Sequence, residues 1–132
     1  MLPFFFMISC VPEEEQNPPA EDPRDEIIGT WQCDENSQFY KSTQSVYTVQ
    51  ITKDTINTTL IIISNFYNLG QSIYAKADLE NLTLTLTDFS DPGYEITGTG
   101  TITSNYETIE WNYDVDDGTG DIDNVYAVYT KL

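Results

Sequence analysis

From residue 29 to residue 131 apolar and polar side chains alternate with a period of two, and no segment carries a helical period. Eight strands are predicted, at 29–35, 44–53, 58–67, 72–79, 82–89, 94–103, 106–115 and 123–131. Between them fall short stretches with turn chemistry, among them Asn68-Leu69-Gly70, Glu80-Asn81, Asp91-Pro92-Gly93 and Asp116-Asp117-Gly118. The faces can be assigned residue by residue. Trp31 and Cys33 oppose Gln32 and Asp34; Tyr47, Val49 and Ile51 oppose Thr48, Gln50 and Thr52. Leu82, Leu84 and Leu86 oppose Thr83, Thr85 and Thr87, while Ile109, Trp111 and Tyr113 oppose Thr108, Glu110 and Asn112. One apolar face and one Thr-rich face, repeated along sequential hairpins, predict a single sheet curled on itself with water outside. The fold class is therefore all-β: an eight-stranded antiparallel up-and-down meander closed into a small barrel. A two-sheet β-sandwich is the alternative that the same strand spacing allows. The polar outer face excludes a membrane-spanning barrel, whose outer wall must face lipid. Strand 58–67 departs from the rule, since residues 60–63 are apolar on both faces, and this predicts a cover from the chain that precedes the first strand.

That preceding chain changes character twice. Residues 2–8 form an apolar run, far shorter than the ~20 residues of a spanning helix, and Ser9-Cys10 follows it. Met7-Ile8-Ser9-Cys10 resembles the lipobox of bacterial lipoprotein signals, with Met7 where leucine is usual and no Lys or Arg ahead of it. The resemblance implies that 1–9 is a signal peptide, that Cys10 is the site of lipidation, and that acyl chains there hold the protein to a membrane. One chain binds only marginally, whereas several are effectively permanent. Glu13-Glu14-Glu15 resembles the acidic signal of surface lipoproteins in the Bacteroidota, which implies export to the outer membrane, facing outward. Residues 11–26 hold four prolines and seven acidic residues without an aromatic, the composition of a disordered, extended tether. At its end Asp22, Pro23, Asp25, Glu26 and Gly29 predict one short helical turn. The division is thus 1–9 signal peptide, 10–26 lipidated Cys with tether, and 27–132 folded domain.

Here the opening of the domain becomes informative. Gly29-Thr30-Trp31 on the first strand, after a helical turn and before a β-meander, resembles the Gly-x-Trp opening of lipocalins. The segment from Ile61 to Phe66, the Ala75-x-Ala77 pair and Ile96-Thr97-Gly98-Thr99-Gly100 resemble small lipocalin-like lipoproteins of gut Bacteroidota. The resemblance implies a lipocalin-like barrel that binds a small ligand in its interior. The domain is shorter than typical lipocalins and lacks their C-terminal helix, which argues against a deep cup.

Charge narrows the function further. The chain carries 22 acidic against 5 basic residues, net −17, and no histidine. With residues 11–26 set aside, the domain keeps 15 acidic and 4 basic residues. That field repels phosphate backbones and excludes nucleic acid as a partner. The lack of histidine removes the commonest general base and the commonest transition-metal ligand. No nucleophile motif or phosphate-binding loop is present, so a non-enzymatic role without cofactor is expected. Cys33, alone once Cys10 is lipidated, reads as buried packing.

Small inward residues (Ala75, Ala77, Gly98, Gly100, Ala127) share the interior with Trp31, Tyr47, Trp111 and Tyr113. These four aromatics are the candidate ligand-binding residues, with room for an apolar or sugar-like guest. The same small residues equally make space for large ones in a tapering barrel. Outward tyrosines such as Tyr74 and Tyr126 suit a second reading, an adaptor or accessory subunit of an envelope complex; a fully packed interior favours that reading. Asp114, Asp116 and Asp123 form a possible Ca²⁺ set, but neither register of an EF-hand loop fits, and an acidic hairpin loop explains them. Asp54-Thr55-Ile56, at a predicted turn, matches the three-residue O-glycosylation pattern of exported Bacteroidota proteins, with Thr55 as acceptor.

Overall fold

The computed structural model describes residues 22–37 and 45–132. Cys10, the predicted signal peptide and most of the predicted tether lie outside the described residues. Eight strands follow in order: β1 (Gly29–Ser37), β2 (Ser45–Lys53), β3 (Leu60–Ser64), β4 (Tyr74–Glu80), β5 (Thr83–Phe89), β6 (Glu95–Ile102), β7 (Thr108–Asp116) and β8 (Ile122–Lys131). Each pairs antiparallel with the next, and β8 returns to β1 from Trp31↔Lys131 through Ser37↔Val125. The sheet is a closed up-and-down barrel. Closure through β1–β8 leaves no second sheet, so the sandwich alternative falls.

Alternation is what closes it. β7 buries Ile109, Trp111, Tyr113 and Val115 and exposes Glu110, Asn112 and Asp114; β5 buries Leu84 and Leu86 between exposed threonines. The interior is filled by fitting large rings against small residues. A Cβ on Gly100 would lie 2.8 Å from the Trp111 ring, and one on Gly98 would meet the Asn112 carbonyl oxygen at 2.3 Å. Glycine at these two places lets β6 pass close under the β7 aromatics.

Strand β3 is shorter than predicted. Asn65, Tyr67 and Asn68 take φ of 65°, 58° and 58°, which turns the chain out of the sheet just after Ser64. Asparagine tolerates this conformation better than most residues. The Asn65 side chain holds the turn, donating to the Thr48 carbonyl (2.9 Å) and accepting from the Gly70 amide (2.8 Å). Phe66 is thereby driven into the barrel, 4.9 Å from the Tyr113 ring and 6.4 Å from Trp111.

An up-and-down barrel has two ends. The β2–β3, β4–β5 and β6–β7 connections lie at one, together with the N-terminal 3₁₀ turn Pro23–Glu26. Asp22 caps that turn by accepting from the Arg24 amide at 3.0 Å. Arg24 is buried, and its Nη1 donates to the carbonyls of Asp54 (3.0 Å), Asn57 (3.2 Å) and Leu60 (2.8 Å). Trp31 Nε1 donates to the Ile27 carbonyl at 2.9 Å, and Lys131 Nζ, 5.6 Å above the Trp31 ring, donates to Glu26 O at 2.7 Å. This end is sealed. The turn packs against this end of the barrel through Arg24 and the Glu26 carbonyl. It reaches β3 at Leu60; outward Ile62 is half-buried, in register between Thr52 and Lys76.

Candidate functional site at the barrel mouth

The opposite end is chemically different. It gathers the last residues of β1, the first of β2 and β8, and the β3–β4 and β5–β6 connections. On β1 the inward series Trp31, Cys33, Glu35, Ser37 runs from apolar to polar as it approaches this end, and all four are buried. On β8 the first inward residue is Asp123, 2% exposed. Its Oδ2 accepts from the Ser37 hydroxyl and from the Tyr67 hydroxyl. Glu35, 4% exposed, accepts from the Tyr113 hydroxyl at 3.3 Å. A cavity of about 230 Å³ opens here, lined by Glu35, Ser37, Ser45, Tyr67, Leu69 and Tyr94 among others.

Burial sets the electrostatics. It raises the Glu35 carboxyl above the ordinary glutamate range; the Tyr47 and Tyr113 hydroxyls partly oppose that shift, and the nearby Asp123 charge adds to it. The Tyr47 hydroxyl favours the Glu35 anion by proximity, without a hydrogen bond of good geometry to any described residue. The Tyr47, Tyr67, Tyr113 and Tyr129 hydroxyls are all pushed up by burial and stay neutral. The buried Cys33 thiol is free and pushed up to about 12 by the same cause, so it is a packed thiol rather than a thiolate.

The four sequence-predicted aromatics divide between these surroundings. Tyr113 reaches the mouth through Glu35. Tyr47 lies beside it, in register with Cys33. Trp111 is deeper, fully buried between Tyr129 (5.7 Å) and Phe66. Trp31 is at the sealed end, where it forms the floor. The interior between floor and mouth is therefore occupied by side chains, with Phe66 as the plug. Sequence reasoning did not find Glu35, Ser37, Tyr67 or Phe66 as site residues. For Glu35 the signal was available, because a carboxylate two positions beyond Cys33 falls on the apolar face of its strand.

The three acidic residues considered for Ca²⁺ are separated. Asp114 is exposed, accepting from Asn124 Nδ2 at 2.5 Å, while Asp123 points into the barrel. Among the described residues no His, Cys, Asp and Glu group has metal-binding geometry. Thr55 is exposed in the β2–β3 connection beside Ile56, which is 91% exposed. Asp54 accepts from the Ile56 and Asn57 amides and pairs with Lys76 Nζ at 2.8 Å, which holds its carboxyl well below the usual range.

The geometry defines a small closed β-barrel with a sealed floor and a polar mouth. No protein-family model and no curated protein matches the chain. Among solved structures it is similar to a structural-genomics protein of unknown function from Bacteroides ovatus, with TM-score 0.53 and 11% identity. The match covers 79% of this chain and 41% of that one, so this chain spans less than half of the other's length. At such identity the likeness is one of fold.

Proposed function

We propose that the protein is a lipid-anchored envelope protein, tethered through Cys10 and facing outward, whose barrel binds a small molecule at its mouth. The observation that carries the binding role is the cavity beside Glu35, where polar groups rather than packed rings meet space. Of the apolar and sugar-like guests expected from sequence, one with polar groups suits this lining better, because a wholly apolar guest offers the buried Glu35 carboxylate no further hydrogen bond. The role is binding rather than catalysis.

Two measurements test the two halves. Intact-mass analysis of protein extracted from membranes is expected to show acylation that Cys10→Ser abolishes, and the same spectrum reports any glycan on Thr55. An unmodified, freely soluble chain removes the anchor. Denaturing extraction of the purified protein is expected to release a small molecule that Ser45→Phe, which fills the cavity rim, no longer carries. Equal yields from both proteins remove the mouth as the site.

A second reading has its own support. The packed interior and the exposed Val46 and Tyr126 on the outer wall suit an accessory subunit that docks to another envelope protein. Crosslinking in intact cells that captures one partner, with no molecule released on denaturation, decides for it.

A further inference from the structure

Three features of the mouth point to the charge of its guest. The first is the balance of the lining, which carries Glu35 and, among the described residues, no Lys or Arg. Four of the chain's five basic residues are engaged elsewhere: Arg24 with Asp22, Lys53 with Asp25, Lys76 with Asp54, and Lys131 over Trp31. The fifth, Lys41, lies outside the described residues. The second is space beside the carboxylate. The register neighbours of Glu35 are Ser45 on β2 and Ala127 on β8, both too small to fill the inner wall next to it.

The third is independent of the acidic groups. The Tyr129 hydroxyl, on a residue 0% exposed, makes no hydrogen bond among the described residues, and the buried Tyr47 hydroxyl lies near the Glu35 carboxylate without a hydrogen bond of good geometry. Tyr47 and Tyr129 flank Cys33 from the two neighbouring strands, one inward position below Glu35, and both are electrostatically coupled to it. Buried hydroxyls are ordinarily partnered. These two hydroxyls lie one inward position below the carboxylate, which itself lines an opening walled by Tyr67, Leu69 and Tyr94.

We propose that the mouth binds a small organic cation, its ammonium group against the Glu35 carboxylate and its carbon body against Tyr67, Leu69 and Tyr94. This rests on the mouth-binding reading above and names the chemical class of the ligand. An anion is repelled by a chain of net charge −17. A neutral polyol can bond the hydroxyls but leaves the carboxylate charge uncompensated. An ammonium compensates that charge, and the electron-rich faces of tyrosines add to its attraction.

Benzylamine and benzyl alcohol, nearly the same shape and differing in charge, serve as probes in calorimetric titrations of the full chain near neutral pH. The amine is expected to bind at least about tenfold more tightly than the alcohol, a factor within reach of one charge-assisted pair. Glu35→Gln is expected to abolish that difference by weakening the amine and leaving the alcohol unchanged; near-ultraviolet circular dichroism checks that the variant is folded. Ser45→Phe is expected to exclude both probes. Amine affinity is also expected to fall as pH drops through the raised Glu35 titration, with no such trend for the alcohol. Glu35 is faced by Cys33 on its own strand, Tyr47 from β2, Tyr67 from the β3–β4 connection, Tyr113 from β7, and Tyr129 and Asp123 from β8. Of these only Asp123 is a carboxylate. If both probes bind equally and Glu35→Gln changes neither, the cation assignment is overturned while the mouth remains a binding site. If neither probe binds at millimolar concentration in the wild type, the cation assignment is overturned. If, in addition, no molecule is released on denaturation, the binding reading falls with it.

Discussion

The two ends of this barrel are built from the same strands and solve opposite problems. At the sealed end Arg24 bonds three carbonyls, the Trp31 indole bonds the Ile27 carbonyl, and Lys131 lies over the Trp31 ring. At the mouth, Glu35 is buried and accepts from Tyr113 at 3.3 Å, and the Tyr47 and Tyr129 hydroxyls just below it make no hydrogen bond of good geometry among the described residues. A structure optimised only for stability places an apolar side chain at position 35, since an unmatched buried charge weakens a fold. The contrast teaches that one end uses its buried polar groups to hold the chain together, while the other leaves a buried carboxyl weakly bonded.

That contrast can be broken by substitution. The largest effect is expected from Trp31→Ala, which empties the floor; it is expected to lose about 3–5 kcal/mol in urea denaturation, the range for deleting a large buried aromatic. Tyr94→Ala at the rim removes one ring contact with Phe89 (5.8 Å) and is expected to lose only about 1 kcal/mol. Similar losses at the two positions erase the distinction between floor and mouth. Next comes Arg24→Met, which keeps the apolar stem and removes the bonds to the Asp54, Asn57 and Leu60 carbonyls. A loss of about 2–3 kcal/mol is expected, as for hydrogen bonds to a charged group.

Glu35→Gln sharpens the comparison with a smaller effect of opposite sign. Burial holds this carboxyl above its ordinary value of 4.5, so the folded chain binds the proton more tightly than the unfolded chain does. Stability from this group is then present at low pH and is lost as pH rises from the ordinary value through the raised folded one. The glutamine variant is expected to melt higher than wild type at about pH 8 and level with it at about pH 4. A variant less stable than wild type at the higher pH makes Glu35 a structural anchor rather than a cost borne for binding.

Much of this was legible in the chain itself. Period-two patterning from Trp31 to Tyr129 gave eight strands, their inward faces and the meander order, because hairpins this short admit little else. The Asp22-Pro23 start of a turn was readable from local capping chemistry. The role of Arg24 was not, since its partners lie 30 to 36 residues away in sequence. The mouth was hardest to see. Its components come from the end of β1, the turn after β3 and the start of β8, and in sequence each is an isolated polar residue.

Alternation of side chains by itself determined that a curled antiparallel sheet would form and which residues it would bury, because that pattern is fixed by backbone geometry within each strand. Whether the enclosed space would be empty or filled was decided only in three dimensions. Left-handed backbone at Asn65, Tyr67 and Asn68 sends Phe66 inward, and closure of β8 on β1 brings Asp123 to Ser37 and Tyr129 beside Cys33. Those are relations between distant segments, set by packing volume and by the ring closure of the sheet.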